Sequence, residues 1–393
     1  LKQKIAVIGA GVIGLSVARN LALQGASVTL LEAATVGSGT SATSYAWVNS
    51  NGKSPDAYHA LNVAGMNAHR LLQQQSQSQI RWLDECGTLE WAAEPSEVAR
   101  LQKRVESLIA KGYAAIPVER KALAQSLPEL ILPAESVPIW SFPDESLLCP
   151  ALFVAFLRSE AIQNGVTLLE HQRVTEIDEQ ASGVRLQLSN GSCWEGDIAV
   201  SAVGRWSASL LATVGVELAM VDADQPGHIG CSFLGYTSPA QIQLRANLIT
   251  PDINIRPDGG GRLLLQVLDI DHQADPKHVP AVDGPVGREM MARLARVMRN
   301  SAGVQLEQIV VGQRSRPADG LPAVGYVTDR KRVYVVATHS GMTLAPALGN
   351  LVAEDILTGS RPALLAEFSP ERLIGRKASE FQEIETHHFP AAQ

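Results

Sequence analysis

Residues 4–8 (Lys-Ile-Ala-Val-Ile) form a short apolar, β-branched run, and Gly9-Ala10-Gly11-Val12-Ile13-Gly14 follows at once. The run has the pattern of a buried parallel strand, and the glycines match the spacing G-x-G-x-x-G. Apolar residues recur at helical spacing from Ile13 to Leu23, and Gly25 supplies a stop. Ser27–Leu31 then reads as a second strand ending in Glu32. The order strand, glycine turn, helix, strand, acid commits this region to a Rossmann-type unit that binds a dinucleotide. Gly9 permits the tight turn, Gly11 lets the backbone approach a pyrophosphate, and Gly14 lets helix pack on strand. Amides at the helix start face the phosphates, and Glu32 accepts from ribose hydroxyls, which disfavours NADP.

Acid at position 32 suits NAD and FAD alike. The next segment, Gly37-Ser38-Gly39-Thr40-Ser41-Ala42-Thr43-Ser44, is a small-residue loop that a plain nicotinamide dehydrogenase has no need of. A flavoprotein uses such a loop to pass beneath the rest of the pyrophosphate and the ribityl chain, so the reading favours FAD. Further along, Ser54 reads as an N-cap with Pro55 opening a helix that runs to about Gln75. His59 and His69 sit ten apart on it, off a shared face and without a third partner, so they read as surface or satisfied histidines. Two amphipathic helices occupy Pro95–Pro128, and Pro150 opens another that ends at Asn164-Gly165. A hairpin turns at Ser189-Asn190-Gly191. From 228 to 268 the pattern changes to alternating strands (228–236, 241–249 and 262–268), read as an antiparallel sheet with one covered face. A helix over 286–300 carries Met290, Leu294 and Val297 on one side.

Net charge is −7 with no long basic run, which argues against nucleic acid or an anionic membrane bound by charge. Cys86, Cys149, Cys193 and Cys231 are too far apart for a zinc or Cys-x-x-Cys site, and no metal site is expected; the terminal pair His387-His388 reads as a frayed tail. So few cysteines support no disulfide framework and point to a reducing, cytoplasmic compartment. The uncharged run Val333–Ala353 is long enough to span a bilayer. However, its glycines split it into a strand-like and a helix-like half, and it contains His339, Pro346 and Asn350. It reads as a buried strand followed by a cofactor-facing helix.

The chain resembles the D-amino-acid oxidase superfamily of FAD enzymes, which includes glycine oxidase and sarcosine oxidase. Four blocks carry the likeness: Val7–Ser16, Gly37–Ser41, Arg316-Pro317-Ala318-Asp319-Gly320-Leu321-Pro322, and Gly341-Met342-Thr343-Leu344-Ala345-Pro346-Ala347-Leu348-Gly349. Arg173-Val174 and Ala202-Val203-Gly204-Arg205-Trp206-Ser207 are weaker matches. The resemblance implies an α/β (α+β overall) chain: a Rossmann-type FAD domain in three pieces (1–85, 143–220 and 310–393) with an inserted antiparallel-sheet substrate domain (86–142 and 221–309). It implies cofactor contacts from Gly9, Gly11, Val12, Ile13, Gly14, Glu32, Ala33, Gly39, Thr40, Ser41 and Ala42. Val174 falls on the adenine side, Gly204 and Trp206 on the ribityl side. Gly341, Met342, Thr343 and Leu344 aim backbone amides at the flavin pyrimidine edge.

The departures are informative. Thr343 stands where sarcosine oxidases carry a lysine, and the His339-Ser340-Gly341 segment is shorter than in glycine oxidase. No cysteine falls in the matching blocks and no histidine in residues 37–53, so FAD is expected to be non-covalent. The implied reaction is oxidation of a carbon–nitrogen bond in an amine or amino acid (a D-amino acid, glycine, an N-methyl or imino acid), with oxygen or an electron carrier as acceptor. A dehydrogenase feeding a quinone or carrier, and a flavin-binding subunit of a heteromeric complex, are the alternatives. A substrate carboxylate calls for a bidentate arginine. Arg316 is the candidate by motif, with an ion pair to Asp319 as the competing reading and Arg314 able to exchange roles. His339 reads either as a substrate or flavin contact or as a structural histidine. Tyr236, Trp47 and Asn49 are expected to line the pocket.

Overall fold

The computed structural model describes residues 2–76, 79–227 and 229–381. His228, His387 and His388 lie outside the described residues. Ile5–Ile8 are buried in a strand, Lys4–Ile8, that pairs in parallel with Ser27–Leu31 on one side and Ile198–Ser201 on the other. These three are the centre of a six-stranded sheet in the order Ala323–Tyr326, Val333–Ala337, Ile198–Ser201, Lys4–Ile8, Ser27–Leu31, Thr167–Leu169. Every neighbour is parallel except the first pair, which is antiparallel. The helices are α1 (Val12–Leu23), α2 (Asp56–Gln75), α3 (Pro95–Ala110), α4 (Arg120–Ser126), α5 (Pro150–Gln163), α6 (Ser207–Ala212), α7 (Pro285–Val297) and α8 (Gly341–Thr358).

Helix α8 packs on both α1 and α2. The approach is close because a Cβ at Gly349 would lie 2.4 Å from Ser16 Oγ, and one at Gly65 would lie 2.4 Å from Thr343 O. Only glycine lets the backbones come so near. No helix of the described residues is long and apolar enough to cross a membrane; the uncharged run is the fully buried strand Val333–Ala337 followed by α8.

A second sheet has eight strands in the order Leu306–Gln313, Cys231–Thr237, Leu263–Gln266, Asn254–Pro257, Asn247–Ile249, Thr88–Glu90, Trp140–Phe142, Ile116–Pro117. It is antiparallel throughout except where Asn247–Ile249 runs parallel to Thr88–Glu90. Both of its faces are covered, whereas the sequence suggested one. Cys231, Phe233, Leu248, Ile255, Leu263 and Leu265 join Met290 and Leu294 of α7 in an apolar cluster. Ser232, Asn247, Asn254, Arg256 and Gln266 alternate with them and are equally buried. This polar face meets other parts of the chain, with Asn247 accepting from Tyr45 Oη at 2.8 Å and Arg256 donating to Leu148 O at 2.9 Å.

Two local expectations are corrected. Pro55, not Ser54, occupies the N-cap of α2: its backbone is extended and its carbonyl accepts from Tyr58 N and His59 N at 2.9 and 3.0 Å, so the helix starts at Asp56. Residues 241–245 alternate between exposed and buried like a strand, yet only Asn247–Ile249 enters the sheet. Ile242 and Leu244 are buried against the α7 cluster, so alternation there reports burial without a ladder partner. The strand Asn254–Pro257 carried no separate sequence signal.

Candidate active site

The strand Lys4–Ile8 delivers the chain to Gly9, whose φ of +98° lies in the left-handed region that glycine adopts without strain. A Cβ there would also sit 2.7 Å from Ala202 O. At Gly14 it would lie 1.7 Å from Gly9 O, so Gly14 serves helix-to-turn packing and does not line the cavity. Gly11 does line it. Its Cβ position is 3.1 Å from Ser41 Oγ, the group that accepts from Val12 N at 3.1 Å. The small-residue loop thus closes over the glycine turn. Glu32 accepts from Ala10 N through Oε2 and from Ala34 N through Oε1, both at 2.8 Å. A carboxylate oxygen has two lone-pair sites, so each retains one for a ribose hydroxyl.

These residues wall a cavity of about 650 Å³, within the roughly 300–1,000 Å³ usual for cofactor sites. Gly9, Gly11, Val12, Ile13, Glu32, Ala33, Gly39, Thr40, Ser41, Val174, Gly204, Trp206, Gly341 and Met342 all line it. Ala42 is exposed instead, and Leu344 is buried in the core behind the helix start. Arg205 lies over the Trp206 ring at 3.7 Å. The first turn of α8 ends the cavity, and its N–H groups, which have no intrahelical partner, favour negative charge there.

A second cavity of about 120 Å³ adjoins the first through Thr40, Ser44, Ser315, His339 and Met342, which line both. Trp47, Asn49 and Thr343 line it as well, and so do Ser232, Leu234 and Gln266 from the polar face of the eight-stranded sheet. Tyr236, two residues beyond Leu234, lines neither cavity. Besides His339, the basic groups in this wall are Lys53 and Arg314, and among the described residues no carboxylate lines it. Burial, and then the charge of Arg316, pushes the Lys53 ammonium down to about 7. A lysine in a polar loop carries no sequence mark of burial, so Lys53 was not legible in advance.

Arg314 and Arg316 have separate environments. Arg314 donates to Cys231 O at 2.8 Å and pairs with the buried Asp271 at 3.5 Å. Burial raises Asp271 to about 6 despite that pairing. Arg316 is 2% exposed, lines neither cavity, and its Nη1 has no hydrogen-bond partner. The competing ion pair with Asp319 is absent, because Asp319 is held by Arg372 at 2.6 Å. Burial, and then Arg314, brings the Arg316 guanidinium down to about 10, and it stays charged at neutral pH. Its field reaches Lys53 and Tyr58, and the Tyr58 hydroxyl is 2.6 Å from Ser340 Oγ on the cavity wall.

The unfolded chain binds a proton at Lys53 up to its ordinary value near 10.5, the folded chain only up to about 7. Stability should therefore rise with pH across that window. Lys53→Met removes the slope, so it should raise the melting temperature more at pH 7 than at pH 10. Equal shifts at the two pH values would contradict the buried placement of this lysine.

A glycine-turn dinucleotide site that continues past the pyrophosphate loop to the start of a distant helix, with a small polar cavity beside it, defines a flavin-dependent oxidoreductase. The family model described as FAD dependent oxidoreductase matches residues 4–355, and the chain belongs to that family. A glycine oxidase of Geobacillus kaustophilus is 24% identical over 384 residues, covering 95% of this chain and 98% of the relative. The 4-methylaminobutanoate oxidase (formaldehyde-forming) of Paenarthrobacter nicotinovorans is 24% identical over 374 residues, covering 90% of this chain and 43% of that protein. In three dimensions the glycine oxidase from Geobacillus kaustophilus superposes with a TM-score of 0.80 at 23% identity, covering 95% of this chain and 100% of the other. The L-proline dehydrogenase from P. horikoshii gives a TM-score of 0.80 at 19% identity, covering 94% and 97%. The glycine cradle, Glu32 and the volume of the first cavity fit FAD, the cofactor of this enzyme.

Proposed function

We propose that the enzyme oxidises the carbon–nitrogen bond of a small amino acid or secondary amine bearing a carboxylate. The observation that carries this reading is the second cavity: about 120 Å³, adjoining the cofactor cavity, with the cationic side chains Lys53 and Arg314 and no acid among the described residues of its wall. Both relatives' names, glycine oxidase and 4-methylaminobutanoate oxidase, describe amines that carry a carboxylate. Bound FAD supplies the two-electron acceptor. The protein's part is positioning. Lys53 in the wall, with the field of Arg316 that reaches it, draws the carboxylate to one end of the small cavity, and its arrival restores the ammonium form of Lys53. Trp47, Leu234 and Met342 exclude water around the carbon that loses hydride. Thr343 is a hydroxyl at the helix start and contributes no charge. Oxygen or an electron carrier then takes the electrons, and the imine product hydrolyses in water.

Anaerobic titration against a panel of D-amino, N-methyl-amino and imino acids tests this directly. Bleaching of the flavin bands by small carboxylated amines, and not by large ones, is the expected result. Bleaching only by amines without an acid group would overturn it. We also infer non-covalent FAD, since none of the four cysteines lines either cavity. The purified protein should be yellow, and acid precipitation should leave the colour in the supernatant. Colour retained on the pellet would refute that attachment.

A further inference from the structure

Helix α8 carries Pro346 in its second turn. Proline has no N–H, so the carbonyl four residues earlier, that of Met342, loses its intrahelical donor. Met342 is buried, and a buried carbonyl without a donor is costly. The donor comes from another helix: His69 Nε2 on α2 lies 2.6 Å from Met342 O. A carbonyl only accepts, so Nε2 carries the proton and the tautomer is fixed. The His69 ring is fully buried and packs on Phe153 with centroids 4.8 Å apart. Burial pushes it down to about 4, so it remains neutral at ordinary pH. One turn earlier on α2, Gly65 admits Thr343 O to the same close contact. Successive turns of α2 therefore grip the first turn of α8, the turn that lines both cavities through Met342.

We propose that His69 is a positioning residue for the flavin: it replaces the N–H that Pro346 lacks and so fixes the first-turn amides of α8 towards the cofactor. The proline leaves the carbonyl of Met342 available to α2, and the histidine uses it to lock two helices at the cofactor edge. His69 touches neither cavity, so it acts only through that turn. A loosened first turn would stabilise negative charge on the reduced cofactor less well.

The test uses the FAD dissociation constant and the flavin midpoint potential of the holoenzyme. His69→Ala should weaken FAD binding about tenfold, the usual weight of one buried hydrogen bond, and move the potential to more negative values. His69→Gln, which carries a donor near the Nε2 position, should stay close to the parent in both. Pro346→Ala should relieve the His69→Ala defect, because the helix then supplies its own N–H to Met342 O. Equal defects in His69→Ala and His69→Gln, or a His69→Ala defect unmoved by Pro346→Ala, would overturn the proposal. Should His69→Ala fail to fold, the double variant decides. A folded, FAD-binding Pro346→Ala/His69→Ala protein supports the role, and a double variant no better than the single overturns it.

Discussion

Gly11→Val should yield a folded protein that no longer carries FAD. Gly11 has φ −73°, open to any residue, so the substitution adds no backbone strain. Its Cβ would stand 3.1 Å from Ser41 Oγ, and the branched methyls beyond it would enter the cavity where the pyrophosphate approaches. Overpacking of about 1–3 kcal/mol corresponds to a loss of roughly five- to 150-fold in affinity. Gly14→Ala is the contrast. Its Cβ would collide with Gly9 O at 1.7 Å, and α1 could not seat on the strand at all. Circular dichroism and flavin absorbance together separate the two: secondary structure without colour for Gly11→Val, loss of both for Gly14→Ala. Wild-type FAD occupancy in Gly11→Val would show that this position does not meet the phosphates.

Arg316→Leu should slow flavin reduction by amino acids about tenfold, the weight of roughly 1.4 kcal/mol of charge attraction lost from behind the cavity wall, while FAD stays bound. An uncharged amine of the same size should lose much less. Arg316 lines neither cavity, but its charge reaches Lys53 in the wall of the small one, so its field acts on a carboxylate bound there. Arg314→Leu should behave differently, because it strips the buried Asp271 of its cation. The expected outcome there is a lower melting temperature before any change in substrate preference. If amino acid and uncharged amine suffer equally in Arg316→Leu, the arginine has a structural role and the substrate lacks an acid group.

What the sequence revealed and what it hid follow from the range of the forces involved. The glycine turn was legible because the positive φ of Gly9 and the contact of Gly14 with Gly9 O are set within a few residues. The split of the run 333–353 into strand and helix was legible for the same reason. The fate of Arg314 was not, since its partner Asp271 lies about 40 residues earlier, in a segment that only the assembled sheet brings beside it. Lys53 looked like part of an ordinary loop until tertiary packing buried it. Tyr236 lies on the same strand as Ser232 and Leu234, but the small cavity closes before reaching it. His59 and His69 read as surface or satisfied histidines; both are buried, and only the fold shows that one bonds Ser50 Oγ, at 2.8 Å, and the other the Met342 carbonyl.

The packing of α1 against α8 brings together segments some 330 residues apart in the chain. On a ribosome adding about 5–20 residues per second, the glycine turn emerges roughly 15–70 s before the helix that completes the cofactor cavity. During that interval the central strands have a dinucleotide fingerprint but no far wall to hold the ring system. Cofactor loading is therefore tied to the synthesis of α8, and a nascent chain stalled before Gly341 would remain colourless however well the preceding strands had folded.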